Sequence, residues 1–107
     1  MSKLSARVIE QRDGGECHVD YYVRAVETGA GGRPFAKDRI DAWAAYREEP
    51  VLVPLPGGGV EWLFRVLLVS DAPRATPEEA AKDMRAALRV HLDPDRLRHP
   101  ARLVHGS

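Results

Sequence analysis

The sequence predicts an α+β fold in which a four-stranded, mainly antiparallel sheet carries two helices packed on one face. Two observations support this: several stretches alternate apolar and polar residues as strands do, and two others have helical spacing. Their order along the chain is strand, strand, helix, strand, strand, helix (ββαββα). With 107 residues, 44% of them hydrophobic, the chain fits one domain with one core. We assign residues 1–95 to this domain and residues 96–107 to an arginine-rich C-terminal tail.

The first two strands are predicted at residues 4–12 and 16–27, where the alternation is clear. The Asp-Gly-Gly between them suits a tight hairpin turn, because these residue types tolerate positive φ values. The second strand has two distinct faces. Its apolar face consists of Cys17, Val19, Tyr21, Val23 and Ala25, and its polar face of His18, Asp20, Tyr22 and Arg24.

Residues 35–48 are predicted to form the first helix, since apolar residues recur there at helical spacing and Pro50 ends the pattern. The glycine-containing segment before it holds Arg33 near the helix start and fits an anion-binding turn only weakly. We interpret that segment as a plain loop. A short strand at residues 51–53 follows, and Pro50 and Pro54 on either side favour an edge position for it.

The fourth strand is predicted at residues 60–69, after a run of glycines. It is apolar on both faces, which is typical of a strand in the middle of a sheet. We expect Trp62 and Phe64 to point inward, so that Glu61, Leu63, Arg65 and Leu67 lie on the opposite face.

The second helix is predicted over residues 77–91. Thr76 suits the N-cap position, Pro77 the first helical position, and Glu79 can complete a capping box. Beyond this helix, residues 101–105 either add a short strand or stay loosely ordered, as chain ends commonly do.

The charge balance excludes some classes of function. Sixteen basic and sixteen acidic residues leave no bulk charge to attract nucleic acid or an anionic membrane. The basic excess is confined to residues 84–107, so we expect nucleic-acid binding to be at most a minor property. No run approaches the ~20 apolar residues of a membrane helix. Thirteen arginines against three lysines are typical of a GC-rich bacterial or phage genome.

No strong catalytic, metal or nucleotide motif is present. Cys17 is the single cysteine, which fits a reducing cytoplasm, and we expect it to be buried and unreactive. His18 points to the opposite face of the strand and cannot serve it as a base. His91, His99 and His105 lack the paired ligands of a zinc site, and His91 suits the helix C-terminus. We therefore predict no cofactor, no metal and no catalytic residue.

The candidate site is the sheet face that the helices leave open. Its predicted mixture of aromatic, aliphatic and charged side chains is typical of protein interfaces. The residues assigned to it are His18, Asp20, Tyr22, Arg24, Leu63, Arg65 and Leu67. Two alternatives remain open: the chain's own tail covers this face, or the face binds a small ligand.

These features predict a non-enzymatic binding domain, an adaptor or inhibitor that contacts a protein partner or a second copy of itself. The alternative is a small cofactor-independent enzyme with a pocket at a dimer interface, in which His18, Asp20 and Tyr22 act as acid and base groups. A concave cavity would favour the enzyme, and a flat or convex face would favour the binding domain.

Overall fold

The computed structural model describes residues 4–12, 15–26, 42–97 and 99–105. Within these ranges, five antiparallel strands form one sheet in the order β4-β3-β2-β1-β5, and one helix packs on it. The elements are β1 (Ser5–Arg12), β2 (Gly15–Ala25), β3 (Trp43–Pro54), β4 (Val60–Leu68), α1 (Pro77–His91) and β5 (Ala101–His105). The prediction of a four-stranded sheet with two helices is therefore wrong, and this small α+β fold is mostly β.

The hairpin of β1 and β2 is confirmed. Its register places Val8 opposite Val19, so that apolar residues of both strands meet on one face. Gly15 begins β2 with a φ of +113°, a value that L side chains rarely adopt.

The first predicted helix is wrong over residues 43–48, which belong to β3. Residues 35–41, and the loop with Arg33 before them, lie outside the described residues. Ala44, Ala45 and Tyr46 are all buried, and a short apolar run of this kind fits either a helix or a strand. Pairing with β2 on one side and β4 on the other outweighs local helical propensity, which is only a weak preference.

The predicted strand at residues 51–53 is the end of β3 and not a separate edge strand. The ladder between β2 and β3 stops at the pair of Asp20 and Glu48. Pro50 lies beyond it, so the backbone N–H that proline lacks is not needed for a hydrogen bond to β2. The Pro50 carbonyl instead accepts a hydrogen bond from Nη1 of Arg12 at 3.4 Å. Past this point no backbone ladder between the described residues joins the β1–β2 hairpin to the β3–β4 hairpin, although the two strands within each hairpin stay paired.

β4 lies at an edge of the sheet and not in its centre as predicted. Among the described strands it pairs with β3 alone, because β5 returns to pair with β1. All nine residues of β4 are exposed. Trp62 and Phe64, which were expected to point inward, are 50% and 69% exposed.

α1 has the predicted bounds and cap. The Thr76 hydroxyl accepts a hydrogen bond from the backbone N–H of Glu79 at 3.2 Å, and the Glu79 carboxylate accepts one from the N–H of Ala75 at 3.4 Å. α1 packs against β2 and β3. The core between helix and sheet consists of Ala6, Val8, Val19, Tyr21, Ala45, Met84 and Leu88.

The C-terminal segment forms a strand, which is the first of the two alternatives left open above. β5 pairs with β1, with a register shift between Arg7 and Val8. The division into a domain of residues 1–95 and a tail of residues 96–107 stays a prediction.

In the described part of the chain, no helix has the length and apolar character needed to cross a membrane.

Candidate functional site

α1 covers one face of the sheet, and we name the opposite face the open face. Part of the open face is nevertheless buried, because Ala44 and Tyr46 of β3 lie in a second apolar cluster with Val26 and Ala42, against which Tyr22 packs. On β2, Val19 and Tyr21 lie in the core beneath α1, so the alternate residues of this strand point to the open face. The structure places four of the predicted site residues there: His18, Asp20, Tyr22 and Arg24.

The predicted site residues of β4 lie on the other face. Arg65 is opposite Glu49, and cross-strand neighbours share a face. Glu49 binds Arg47, which hydrogen-bonds to Tyr21 beneath α1. The β4 residues on the α1 side are therefore Glu61, Leu63, Arg65 and Leu67. Those on the open face are Val60, Trp62, Phe64, Val66 and Leu68. The seven predicted site residues are divided between two faces.

On the open face of β2, Asp20, Tyr22 and Arg24 each contact another side chain of the protein. Asp20 accepts a hydrogen bond from Nε of Arg7 at 2.8 Å. Tyr22 stacks on Tyr46 with ring centroids 5.8 Å apart, and the Arg24 guanidinium lies 4.7 Å from the centroid of Tyr46. Burial raises the pKa of Tyr22, although the charge of Arg24 opposes this. These contacts resemble ordinary cross-strand pairs.

A cleft of about 260 Å³ lies where the two hairpin arms separate. Its lining residues are Glu16, Cys17, His18, Pro50, Trp62 and Phe64. Cys17 is buried as predicted, with 7% of its surface exposed. The cleft places His18 next to two aromatic residues of β4.

Exposed apolar side chains concentrate on β4. We name the side chains and outer backbone of Val60–Leu68 the β4 surface. Seven of its nine residues are large, apolar and exposed on one face or the other. Five of them, Val60, Trp62, Phe64, Val66 and Leu68, form one row on the open face, and a contiguous apolar row of this kind is typical of a contact surface.

Among the described residues, none pairs with the outer backbone edge of β4. Val69 N donates to Ala45 O at 2.9 Å, and Leu55 N donates to Gly59 O at 3.1 Å. Because bonding alternates along an antiparallel pair, these bonds identify the odd-numbered residues of β4 as those bonded to β3. The N–H and C=O groups of the even-numbered residues therefore point outward. Such an edge can accept another strand.

On the α1 side of the β4 surface, two arginines share one carboxylate. Glu49 binds Nη2 of Arg47 at 2.6 Å and also binds Arg65. Burial raises the pKa of Glu49, but the hydrogen bond from Arg65 and the nearby positive charges outweigh it, so this pKa lies below its ordinary value. Glu61 forms no ion pair with any residue that the structure describes. The group of Glu49, Arg47 and Arg65 therefore has a net charge of one positive unit.

A buried polar chain joins α1 to the sheet, and sequence reasoning missed it. Nε2 of His91 lies 2.6 Å from Oε2 of Glu10, and Nδ1 of His91 lies 2.6 Å from the Tyr21 hydroxyl. Arg12 donates to Glu10 from Nε at 2.7 Å. No sequence signal could have found this chain, because its members come from β1, β2 and α1.

A carboxylate, an imidazole and a phenol in a row can move a proton. Here, however, both ring nitrogens of His91 already have partners within the chain. An adjoining cleft of about 360 Å³ is also lined by Arg12 and Arg47, whose guanidinium groups bind Glu10 and Glu49, while the buried Nε of Arg47 has no partner among the described residues. The polar chain therefore joins α1 to the sheet.

Within the described ranges, no three His, Cys, Asp or Glu side chains are grouped so that they could hold a metal ion. No protein-family model matches the sequence, and neither a curated protein nor a solved structure matches it. The function must therefore be inferred from the surfaces of the molecule.

Proposed function

We propose that this protein is a non-enzymatic protein-binding domain that uses the β4 surface and the adjoining open face. The observation that carries the proposal is that all nine residues of β4 are exposed, Trp62 and Phe64 among them. Aromatic side chains contribute most to the energy of protein interfaces, because they remove a large apolar area from water at a low entropic cost.

The two edges of the sheet differ in a way that supports this proposal. β5 has five residues and meets a register shift beside Arg7, and both features discourage pairing with a further strand. β4 is longer and regular. Its charged residues, Glu61 and Arg65, both lie on the α1 side. The open-face row of β4 therefore has no charge, and the ladder of β4 with β3 has no register shift, so two of the features that usually protect a free edge are missing there.

The geometry gives no support to the enzymatic alternative. No hydrogen bond joins His18, Asp20 and Tyr22 to one another in the described part of the chain, and Asp20 is already paired with Arg7. A binding domain does not require hydrogen bonds among these three side chains. We place its partner in the cytoplasm, where the single Cys17 would stay reduced.

The experiment is capture of partner proteins from an extract of the source organism with the tagged chain. Phe64→Asp introduces a charge in the middle of the open-face row of β4. Val104→Asp makes a similar change at an exposed residue of β5, on the opposite edge, and serves as the matched control. We expect the wild type and Val104→Asp to retain the same protein in stoichiometric amounts, and Phe64→Asp to lose most of it.

Untagged copies of this chain count as a partner in that experiment. Circular dichroism must show that both variants keep the fold. If the wild type retains no protein, or if the two variants lose it equally, the β4 surface is not the binding surface.

A further inference from the structure

We propose that the partner of the β4 surface is a second copy of this chain, with the two β4 strands paired antiparallel around Leu63. This inference rests on the proposed function, since it identifies the partner of the same surface. The pairing joins two five-stranded sheets into one continuous sheet. The two-fold axis of an antiparallel pair is perpendicular to the sheet, so both α1 helices lie on the same face.

The backbone limits the registers that such a pair can adopt. The outward N–H and C=O groups belong to the even-numbered residues of β4, so the even-numbered residues of the two copies must lie opposite one another. A shift by one residue is excluded, because outward groups would then face residues already bonded to β3. Shifts by two residues remain allowed.

Charge complementarity selects one of these registers. With Leu63 on the two-fold axis, Glu61 of each copy lies opposite Arg65 of the other. A shift by two residues moves Phe64 onto the axis and places Glu61 opposite Leu67. The first register forms two ion pairs, and the shifted one forms none.

The same register gives Glu61 an ion-pair partner. Glu61 has no ion pair among the described residues, and Arg65, which binds Oε1 of Glu49, shares that carboxylate with Arg47 on Oε2, so the three groups carry a net positive charge that a second carboxylate would balance. Odd-numbered residues are the non-hydrogen-bonded pairs of this interface, where opposite Cα atoms are about 4.5 Å apart and side chains are closest. Opposite charges stabilise such a pair, and like charges destabilise it.

On the open face, the same register brings the exposed aromatic residues together. Trp62 of each copy lies opposite Phe64 of the other, so four aromatic side chains are adjacent across the axis. Aromatic pairs across strands are among the stabilising side-chain pairs of sheets. Val60 lies opposite Val66 at either end of this row. One register therefore satisfies the backbone, the charges and the aromatic residues.

The test uses sedimentation velocity on the full chain and its charge-reversed variants. We expect the wild type to dimerise, and Glu61→Arg and Arg65→Glu each to raise the dimer dissociation constant about tenfold or more, because each replaces two attractive pairs by two repulsive ones. An equimolar mixture of the two variants should regain wild-type affinity, since the mixed dimer again has two ion pairs. Lys82→Glu, an exposed charge reversal on α1, should have no effect.

Arg65→Glu also removes a ligand of Glu49, so a second measurement avoids this position. In a Cys17→Ser background, Leu63→Cys should form an intermolecular disulfide under mild oxidation, because the two positions meet on the axis within disulfide range. Leu67→Cys, also exposed on the α1 side of β4, should not.

The outcomes separate this inference from the proposed function. A monomeric wild-type chain that still captures another protein through Phe64 overturns the second-copy proposal and leaves the binding domain standing. A monomeric chain that captures nothing overturns both. The pairing of Glu61 with Arg65 is overturned if neither charge reversal changes the dimer dissociation constant. It is also overturned if the mixture of the two variants does not regain the wild-type dissociation constant.

Discussion

Tyr21 and Phe64 show how differently two large aromatic residues are used in this protein. Tyr21 is 1% exposed, lies beneath α1 and shares its hydroxyl with His91 and Arg47. Phe64, at 69%, is the most exposed of the large apolar residues that the structure describes. Removing Tyr21 would therefore disturb the fold, whereas removing Phe64 would disturb association.

The first prediction compares Phe64 with a core residue. Met84→Ala should lower the free energy of unfolding by about 2–5 kcal/mol, because Met84 is fully buried and its removal leaves a cavity. Phe64→Ala should change it by less than about 1 kcal/mol, as exposed positions usually do. Urea denaturation at a concentration where the chain is monomeric measures both. Equal losses would mean that Phe64 belongs to the core.

At the scale of elements, α1 is held at both ends. Its first turn is closed by Thr76, and its last residue, His91, is bonded to β1 and β2 through Glu10 and Tyr21. Arg74 and Ser70, just before the helix, both donate to the Asp83 carboxylate. The connection from β4 into α1 is therefore closely tied to the helix.

The second prediction tests the helix cap. Thr76→Ala should cost about 1 kcal/mol of stability, because the backbone N–H of Glu79 loses its acceptor. Ser5→Ala, at the exposed start of β1, is the control and should change stability by less than about 0.5 kcal/mol. Denaturant midpoints of the two variants and the wild type give the comparison. An unchanged midpoint for Thr76→Ala would show that the cap contributes nothing.

At the scale of the whole molecule, three carboxylates connect separate parts of the fold. Burial raises the pKa of Glu10, Glu49 and Asp83, but hydrogen bonds from their basic or hydroxyl partners outweigh it, so each pKa lies below its ordinary value. At a pH between the folded and the unfolded pKa of such a carboxyl, the unfolded chain binds more protons than the folded chain. Stability therefore falls as the pH falls.

The third prediction follows from that sign. The contribution of these three carboxyls to the free energy of unfolding should decline as the pH drops below their ordinary pKa values, 4.5 for Glu10 and Glu49 and 3.8 for Asp83. Asp83→Asn should be less stable at pH 7 and should lose less on acidification. Urea denaturation from pH 7 to about pH 3 measures this. Parallel curves for variant and wild type would contradict the role of Asp83.

Several elements could be predicted from the sequence because neighbouring residues determine them. The β1–β2 hairpin follows from alternation around a glycine turn, and α1 follows from Thr76, Pro77 and apolar spacing. The same alternation places His18, Asp20, Tyr22 and Arg24 together on one face of β2. In each case the deciding contacts lie within a few residues along the chain.

Only the tertiary structure decided the rest, because those features depend on which distant segments pair. Residues 43–48 form a strand because β2 pairs with all of them and β4 pairs with residues 46–48, and their own composition does not specify this pairing. The apolar pattern of β4 is that of a central strand, yet β5 pairs with β1 and leaves Trp62 and Phe64 exposed. Local pattern determines which residues share a face, but long-range pairing determines which strands and faces stay uncovered.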